Sequence, residues 1–221
     1  MNLTAINGSP RGAKSNTAIL LQHFLAGFAG SNGHSHRLIH LKTEGGADLA
    51  ADCFDGSDVV LLGFPLYADA MPGIVKELIE RWGRYRGAGN HPILIFLVQS
   101  GFPEGSHTRN LVPYLEKLSR RLGCDYRGTI RKGGVEGIRV QPSFMTRRLF
   151  DRMRQLGAGF GRWRTLDDGL LEELAGAESQ NRFGRLTVNK MSELLFWNPA
   201  LKRNGAYELR HAKPYAPQES P

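Results

Sequence analysis

Two hydrophobic rhythms take turns along the first three quarters of the chain. Short apolar runs, near residues 3–7, 36–41, 57–63, 92–99 and 124–132, read as strands. Between and after them, near 15–29, 47–54, 72–85, 107–122 and 143–158, apolar residues recur at the helical spacing. In the third of these helices Ile74, Val75, Leu78, Ile79 and Trp82 fall on one face, and Pro72 suits the first turn because its missing N–H has no helical partner to lose. Five strand–helix units in succession predict a doubly wound, five-stranded parallel sheet of the α/β class. Past Arg164 the alternation stops. Residues 166–180 are acidic with a helical pattern, 186–198 carry Leu186, Met191, Leu194, Leu195, Phe196 and Trp197, and 214–221 read as a loosely ordered tail. The expected division is therefore a sheet domain over 1–164 and a C-terminal helical extension, an arm and tail, over 165–221.

The loop after the first strand carries the most chemistry. Gly8-Ser9-Pro10-Arg11-Gly12-Ala13-Lys14-Ser15-Asn16-Thr17 leads straight into the apolar run of the first helix. Backbone N–H groups and the positive end of a helix dipole converge there, which favours a phosphate. The spacing is one residue away from the nucleoside-triphosphatase loop G-x-x-x-x-G-K-[ST], because Ala13 replaces the second glycine. Such enzymes also place an Asp at the end of a second apolar strand. Here Val59-Val60-Leu61-Leu62 ends in Gly63-Phe64-Pro65, and Asp58 stands at the beginning. The dinucleotide fingerprint G-x-G-x-x-G is also missing. Ser9, Arg11, Ser15, Asn16 and Thr17 remain as donors for one terminal phosphate. A capped helix alone needs one such residue, worth about 1 kcal/mol; this loop has four of them and a cation.

With these residues the sequence resembles the flavodoxin-like NAD(P)H-dependent FMN reductases and quinone reductases, whose first loop reads G-S-P-R followed by S-N-T. A second segment is similar to the same family: Pro65-Leu66-Tyr67-Ala68, then Met71-Pro72, Lys76 and Arg81 after the third strand. A third, Gln99-Ser100-Gly101-Phe102, looks like the loop bordering the flavin ring after the fourth strand. The similarity spans roughly residues 1–135. It implies a flavodoxin-like fold with FMN as cofactor and NAD(P)H as co-substrate. The FMN phosphate would lie at 8–17, and the ring would lie between Pro65, Leu66, Tyr67 and Ala68 on one side and Ser100, Gly101 and Phe102 on the other. Hydride would pass from a nicotinamide through flavin N5 to a small acceptor such as a quinone or another flavin. No catalytic acid or base is nominated, since the flavin supplies the chemistry. Lys76 and Arg81 read equally well as ion-paired helix charges, and His107 as the start of a helix.

Composition narrows the alternatives. No apolar run is long enough to cross a membrane, and the N-terminus opens on a strand without the apolar core of a signal peptide, so a cytoplasmic protein is expected. Cys53 and Cys124 stand far apart, with no C-x-x-C, and read as buried free thiols with no metal site. The net charge of +8 is concentrated between residues 120 and 164, where twelve Lys or Arg face three acids. Around Met145, Leu149, Met153 and Leu156 stand Arg147, Arg148, Arg152 and Arg154. That pattern fits a helix packed on the sheet with a solvated basic face, or a field that attracts phosphorylated cofactors; no nucleic-acid motif accompanies it. The rival class is a non-enzymatic electron carrier of the flavodoxin type. A basic balance favours the anionic hydroquinone and two-electron traffic, and so an enzyme. The apolar 186–198 segment needs cover, and a homodimer joined by this arm is the expected assembly.

Overall fold

The computed structural model describes residues 1–30, 33–87, 91–179, 186, 190 and 193–213. Five strands, β1 (Asn2–Asn7), β2 (Ser35–His40), β3 (Val59–Pro65), β4 (Ile93–Gln99) and β5 (Asp125–Lys132), form one parallel sheet in the order β2-β1-β3-β4-β5. β3 lies at its centre, and all seven of its residues are buried. This is why its sequence is an unbroken apolar run rather than an alternating one. Val59 and Leu61 point to one face of the sheet, and Val60, Leu62 and Phe64 to the other.

Each face has its own core. On the first, α2 (Gly46–Asp52), α3 (Gly73–Trp82) and α5 (Leu111–Leu122), the last preceded by the single turn α4 (Ser106–Arg109), cover the sheet with Phe54, Val75, Leu78, Trp82, Leu111 and Leu115. On the second, α1 (Asn16–Ala29), α6 (Ser143–Trp163) and α7 (Asp168–Ala175) contribute Leu21, Phe24, Phe28, Met153, Phe160 and Leu174. α1 and α6 meet backbone to backbone. A Cβ on Gly157 would stand 1.9 Å from the carbonyl oxygen of Phe24, and one on Gly27 1.9 Å from that of Arg154. Side chains larger than hydrogen would force the helices apart.

Some expectations change in detail. α3 begins at Gly73 with Pro72 as its N-cap, so the proline stands just outside the first turn. Lys76 pairs with Glu80, and Arg81 with Asp48, on the surface. α6 runs on to Trp163, and its apolar row divides: Met153 and Leu156 are buried, whereas Met145 is half exposed. Both cysteines are buried free thiols; burial pushes Cys124 up to about 12.

The compact units of the chain divide at Met1–Ser179 and Gln180–Pro221, not at residue 164. Residues 165–179 belong to the sheet unit. Leu166 and Leu174 enter its core, and the return of the chain after α7 bonds the third loop, where Gly105 N–H donates to Ala177 O (2.9 Å) and Ser106 N–H to Glu178 O (3.3 Å). In the second unit a π-helical turn (Glu193–Trp197) runs into α8 (Asn198–Arg203), and Arg210 and Lys202 stand over the Tyr207 ring at 4.0 and 5.0 Å. Met191, the side chains of Leu195 and Phe196, and the tail 214–221 lie outside the described residues. Among the described residues no helix is long and apolar enough to cross a membrane, and no group of His, Cys, Asp or Glu is arranged to hold a metal.

Candidate functional site

The chain turns one way from β1 to β2 and the other way to β3, so the carboxyl ends of β1 and β3 part at a topological switch point. Ligands of open α/β sheets bind in that crevice. A cleft opens there, lined by Ser9, Arg11, Ser15 and Asn16 from the first loop, Pro65, Leu66 and Tyr67 after β3, Gln99, Ser100 and Gly101 after β4, and Glu136 after β5.

The first loop is held from within. Gly8 N–H donates to Gly63 O at 2.7 Å, and a Cβ on Gly8 would come within 2.3 Å of Val75 Cγ2, so the chain passes α3 only as glycine. Asn7, the last residue of β1 and fully buried, organises the turn into α1. Its Oδ1 accepts from Ser9 N–H (3.1 Å), and its Nδ2 faces Gly12 O (2.8 Å), Ser15 Oγ (3.2 Å) and His40 Nδ1 (2.9 Å). Burial holds the His40 pKa below its ordinary value, which keeps a neutral ring with a lone pair toward Asn7. Ser15 is the N-cap of α1, its Oγ accepting from Ala18 N–H at 3.0 Å. The N–H groups of Asn16 and Thr17, first in the helix, precede any intrahelical bond. With Ser9, Ser15 and the Arg11 cation nearby, this corner of the cleft is a donor set for an anion.

Cross-links fix the other loops against the first. Gln99 Nε2 donates to Thr17 Oγ1 (3.2 Å), Asn16 Nδ2 to Val135 O (2.8 Å), and Leu66 N–H to Gln99 O (2.8 Å). Ser100 N–H donates to Lys132 O (3.0 Å), and Val135 N–H to Ser100 O (3.1 Å). The wall after β3 is looser. Tyr67 and Ala70 exchange two backbone hydrogen bonds around Ala68 and Asp69, whose φ values are 45° and 61°. Both non-glycine residues are in the left-handed region that a tight two-residue hairpin demands. Tyr67 is 46% exposed.

Of the twelve residues nominated from sequence, nine line this cleft: Ser9, Arg11, Ser15, Asn16, Pro65, Leu66, Tyr67, Ser100 and Gly101. Three do not. Thr17 is fully buried and acts as the acceptor for Gln99; Ala68 sits at the tip of the hairpin; Phe102 is 66% exposed, its ring 5.1 Å from that of His107. His107 itself lies off the cleft lining, 3.8 Å from Glu104. Asn7 and Glu136 were not nominated, and Gln99 was placed in the loop bordering the ring without being named as a contact. A polar residue ending an apolar strand was a readable signal for Asn7 and Gln99, whereas Glu136 reaches the cleft only because the loop after β5 folds back onto α1.

A comparison of the sequence with curated proteins finds no match. Solved structures match at low identity. The NAD(P)H:quinone oxidoreductase from Methanothermobacter marburgensis is 15% identical with a TM-score of 0.55, over 72% of this chain and 96% of that one. An FMN-dependent NADH-azoreductase from Bacillus anthracis, solved in complex with FMN, is 13% identical with a TM-score of 0.54, over 73% of this chain and 100% of that one. An NADH:FMN oxidoreductase in its apo form is 17% identical with a TM-score of 0.55, over 81% and 96%. These likenesses speak to the fold. Residues 1–148, well over half of the chain, match the family model described as flavodoxin-like fold, and with the strand order and the cleft at its switch point the chain belongs to that family.

Proposed function

We propose that this protein is an FMN-dependent NAD(P)H oxidoreductase acting on a small acceptor such as a quinone or a flavin. One observation carries the reading: a donor-rich corner at the N-terminus of α1 opens into the same cleft as the loops after β3 and β4. The residues present fit FMN. Ser9, Arg11, Ser15 and the N–H groups of Asn16 and Thr17 would hold its phosphate, with charge-assisted bonds worth about 1.5–3 kcal/mol each. Pro65, Leu66 and Tyr67 would face the ring on one side, with Ser100 and Gly101 on the other. Bound FMN would supply the hydride-transfer chemistry between a nicotinamide and the acceptor. This chain's part is to anchor, orient and partly desolvate.

The enclosed part of the cleft is small, about 90 Å³, against the about 300–1,000 Å³ of ordinary ligand pockets. A flavin ring would therefore extend into its mouth and be covered from outside. This favours a homodimer, with residues 186–198 as the assembly arm; Leu186, Leu194 and Trp197, 62%, 68% and 64% exposed, supply apolar surface. The site of action proposed is the cytoplasm.

The test is direct. Purified protein supplied with FMN should show a bound-flavin spectrum, and mixing with NADH or NADPH under anaerobic stopped flow should bleach it in a concentration-dependent way. Bleaching with neither nicotinamide would remove the enzyme reading and leave the electron carrier.

A further inference from the structure

We infer that a second cleft, on the α6–α7 side of β5, is a binding site for an amphipathic anion, a carboxylate or phosphate group carried on an apolar body. The inference does not depend on the flavin reading. The cavity measures about 430 Å³ and is formed by the end of β5, the loop after it, α6 and α7. That is far larger than one ion needs and within the range of small-molecule sites.

Three cations line it against one carboxylate: Lys132, Arg148 and Arg152 facing Glu173. The arginines both reach the carboxylate, Arg148 Nη2 at 2.5 Å and Arg152 Nε at 2.9 Å, and together they hold Glu173 below the usual carboxylate range. Arg152 Nε is enclosed against that carboxylate, so Glu173 occupies this side of the guanidinium. Lys132 is in a different position. Burial lowers its pKa, and among the described residues no carboxylate pairs with it. Lys132 is only partly buried, so its ammonium still reaches water, and an incoming anion in the cleft would supply the partner it lacks.

The rest of the lining specifies what the anion is attached to. Met145, Leu149, Leu174 and Ile138 present apolar surface to the same space. Met145, half exposed on an unbranched and adaptable side chain, stands as a compliant wall. An inorganic ion would leave this surface wet, and a neutral apolar molecule would leave Lys132 unpaired. The site also backs onto the first cleft. Gly134 and Ile138 line one and Glu136 the other, while the Lys132 carbonyl accepts the Ser100 N–H.

Calorimetry on the full chain with octanoate, octyl phosphate, octanol and inorganic phosphate tests this. Octanoate or octyl phosphate should bind one to one, about tenfold or more tighter than octanol or phosphate, and Lys132→Met should weaken that binding by about tenfold or more. The tighter of the two amphiphiles identifies the head group. Lys132→Met removes a partly buried, unpaired charge and keeps the chain length, so it should fold; Arg152→Gln, partly buried on α6, gives an independent loss of affinity. The inference is overturned if neither amphiphile binds, if octanol binds as well as octanoate, or if Lys132→Met binds like the wild type.

Discussion

The two walls of the first cleft are made in opposite ways. On the β1 side, Ser9 and Ser15 line the cleft at 2% and 1% exposure, with the fully buried Asn7 and Thr17 behind them, and each of the four has a hydrogen-bond partner inside the protein. On the β3 side, Tyr67 stands half in solvent on a hairpin whose two central residues have positive φ. A receptor for a small fixed anion gains by having its donors aimed before the ligand arrives, since ordering them later subtracts from affinity. A surface for a flat ring needs area and tolerance more than fixed direction. The contrast therefore assigns the two walls different tasks, and substitutions should separate them.

The largest effect is expected on the ordered wall. Asn7→Leu leaves Ser9 N–H and Gly12 O without their partner in the interior, at about 1–3 kcal/mol each, so urea unfolding should show a loss of about 3 kcal/mol and FMN affinity should fall with it. On the other wall the sign reverses. Ala68→Gly relieves the left-handed backbone and should raise stability by up to about 1 kcal/mol. Tyr67→Ala should leave stability within about 0.5 kcal/mol while weakening FMN by about 0.5–1.5 kcal/mol beyond lost area. If Tyr67→Ala unfolded as easily as Asn7→Leu, the walls would not differ in kind.

A smaller effect sharpens the account of Asn7. His40 has its pKa lowered by burial from the ordinary 6.5, so the unfolded chain takes the proton more readily than the folded one. Its stabilisation is present above 6.5 and is lost as the pH falls from there through the folded value. Stability should decline as the pH falls below 6.5, and His40→Gln should flatten part of that decline. His23, also lowered by burial, stays in both proteins and cancels in the comparison. Equal slopes would mean that His40 does not face Asn7 as a neutral acceptor.

Much of this was legible in the sequence because the signals are local. Five apolar runs and their helical partners fix the sheet, and the Ser9 to Thr17 loop announces its donors by type and spacing. What stayed hidden depends on contacts between distant segments. Gln99 and Asn7 act through loops they do not belong to, and Glu136 arrives by way of the Asn16–Val135 bond. Thr17, expected among the phosphate donors, stands in the first turn of α1 with its hydroxyl facing inward to Gln99 rather than toward the cleft. The boundary expected at residue 164 followed a change in rhythm; Leu166 and Leu174 nonetheless belong to the sheet unit's core, since an acidic helix can still bury one apolar edge. Met145 shared the spacing of Met153 but lies beyond the close contact with α1, so periodicity alone could not assign its burial.

The central claim is that the ordered wall receives the phosphate of FMN, and it is tested most directly by titrating the full chain with FMN and with riboflavin, which differ only in that group. Two or more charge-assisted bonds at about 1.5–3 kcal/mol each predict that FMN binds about a hundredfold or more tighter. Equal affinity for the two, or no binding of FMN, would contradict it.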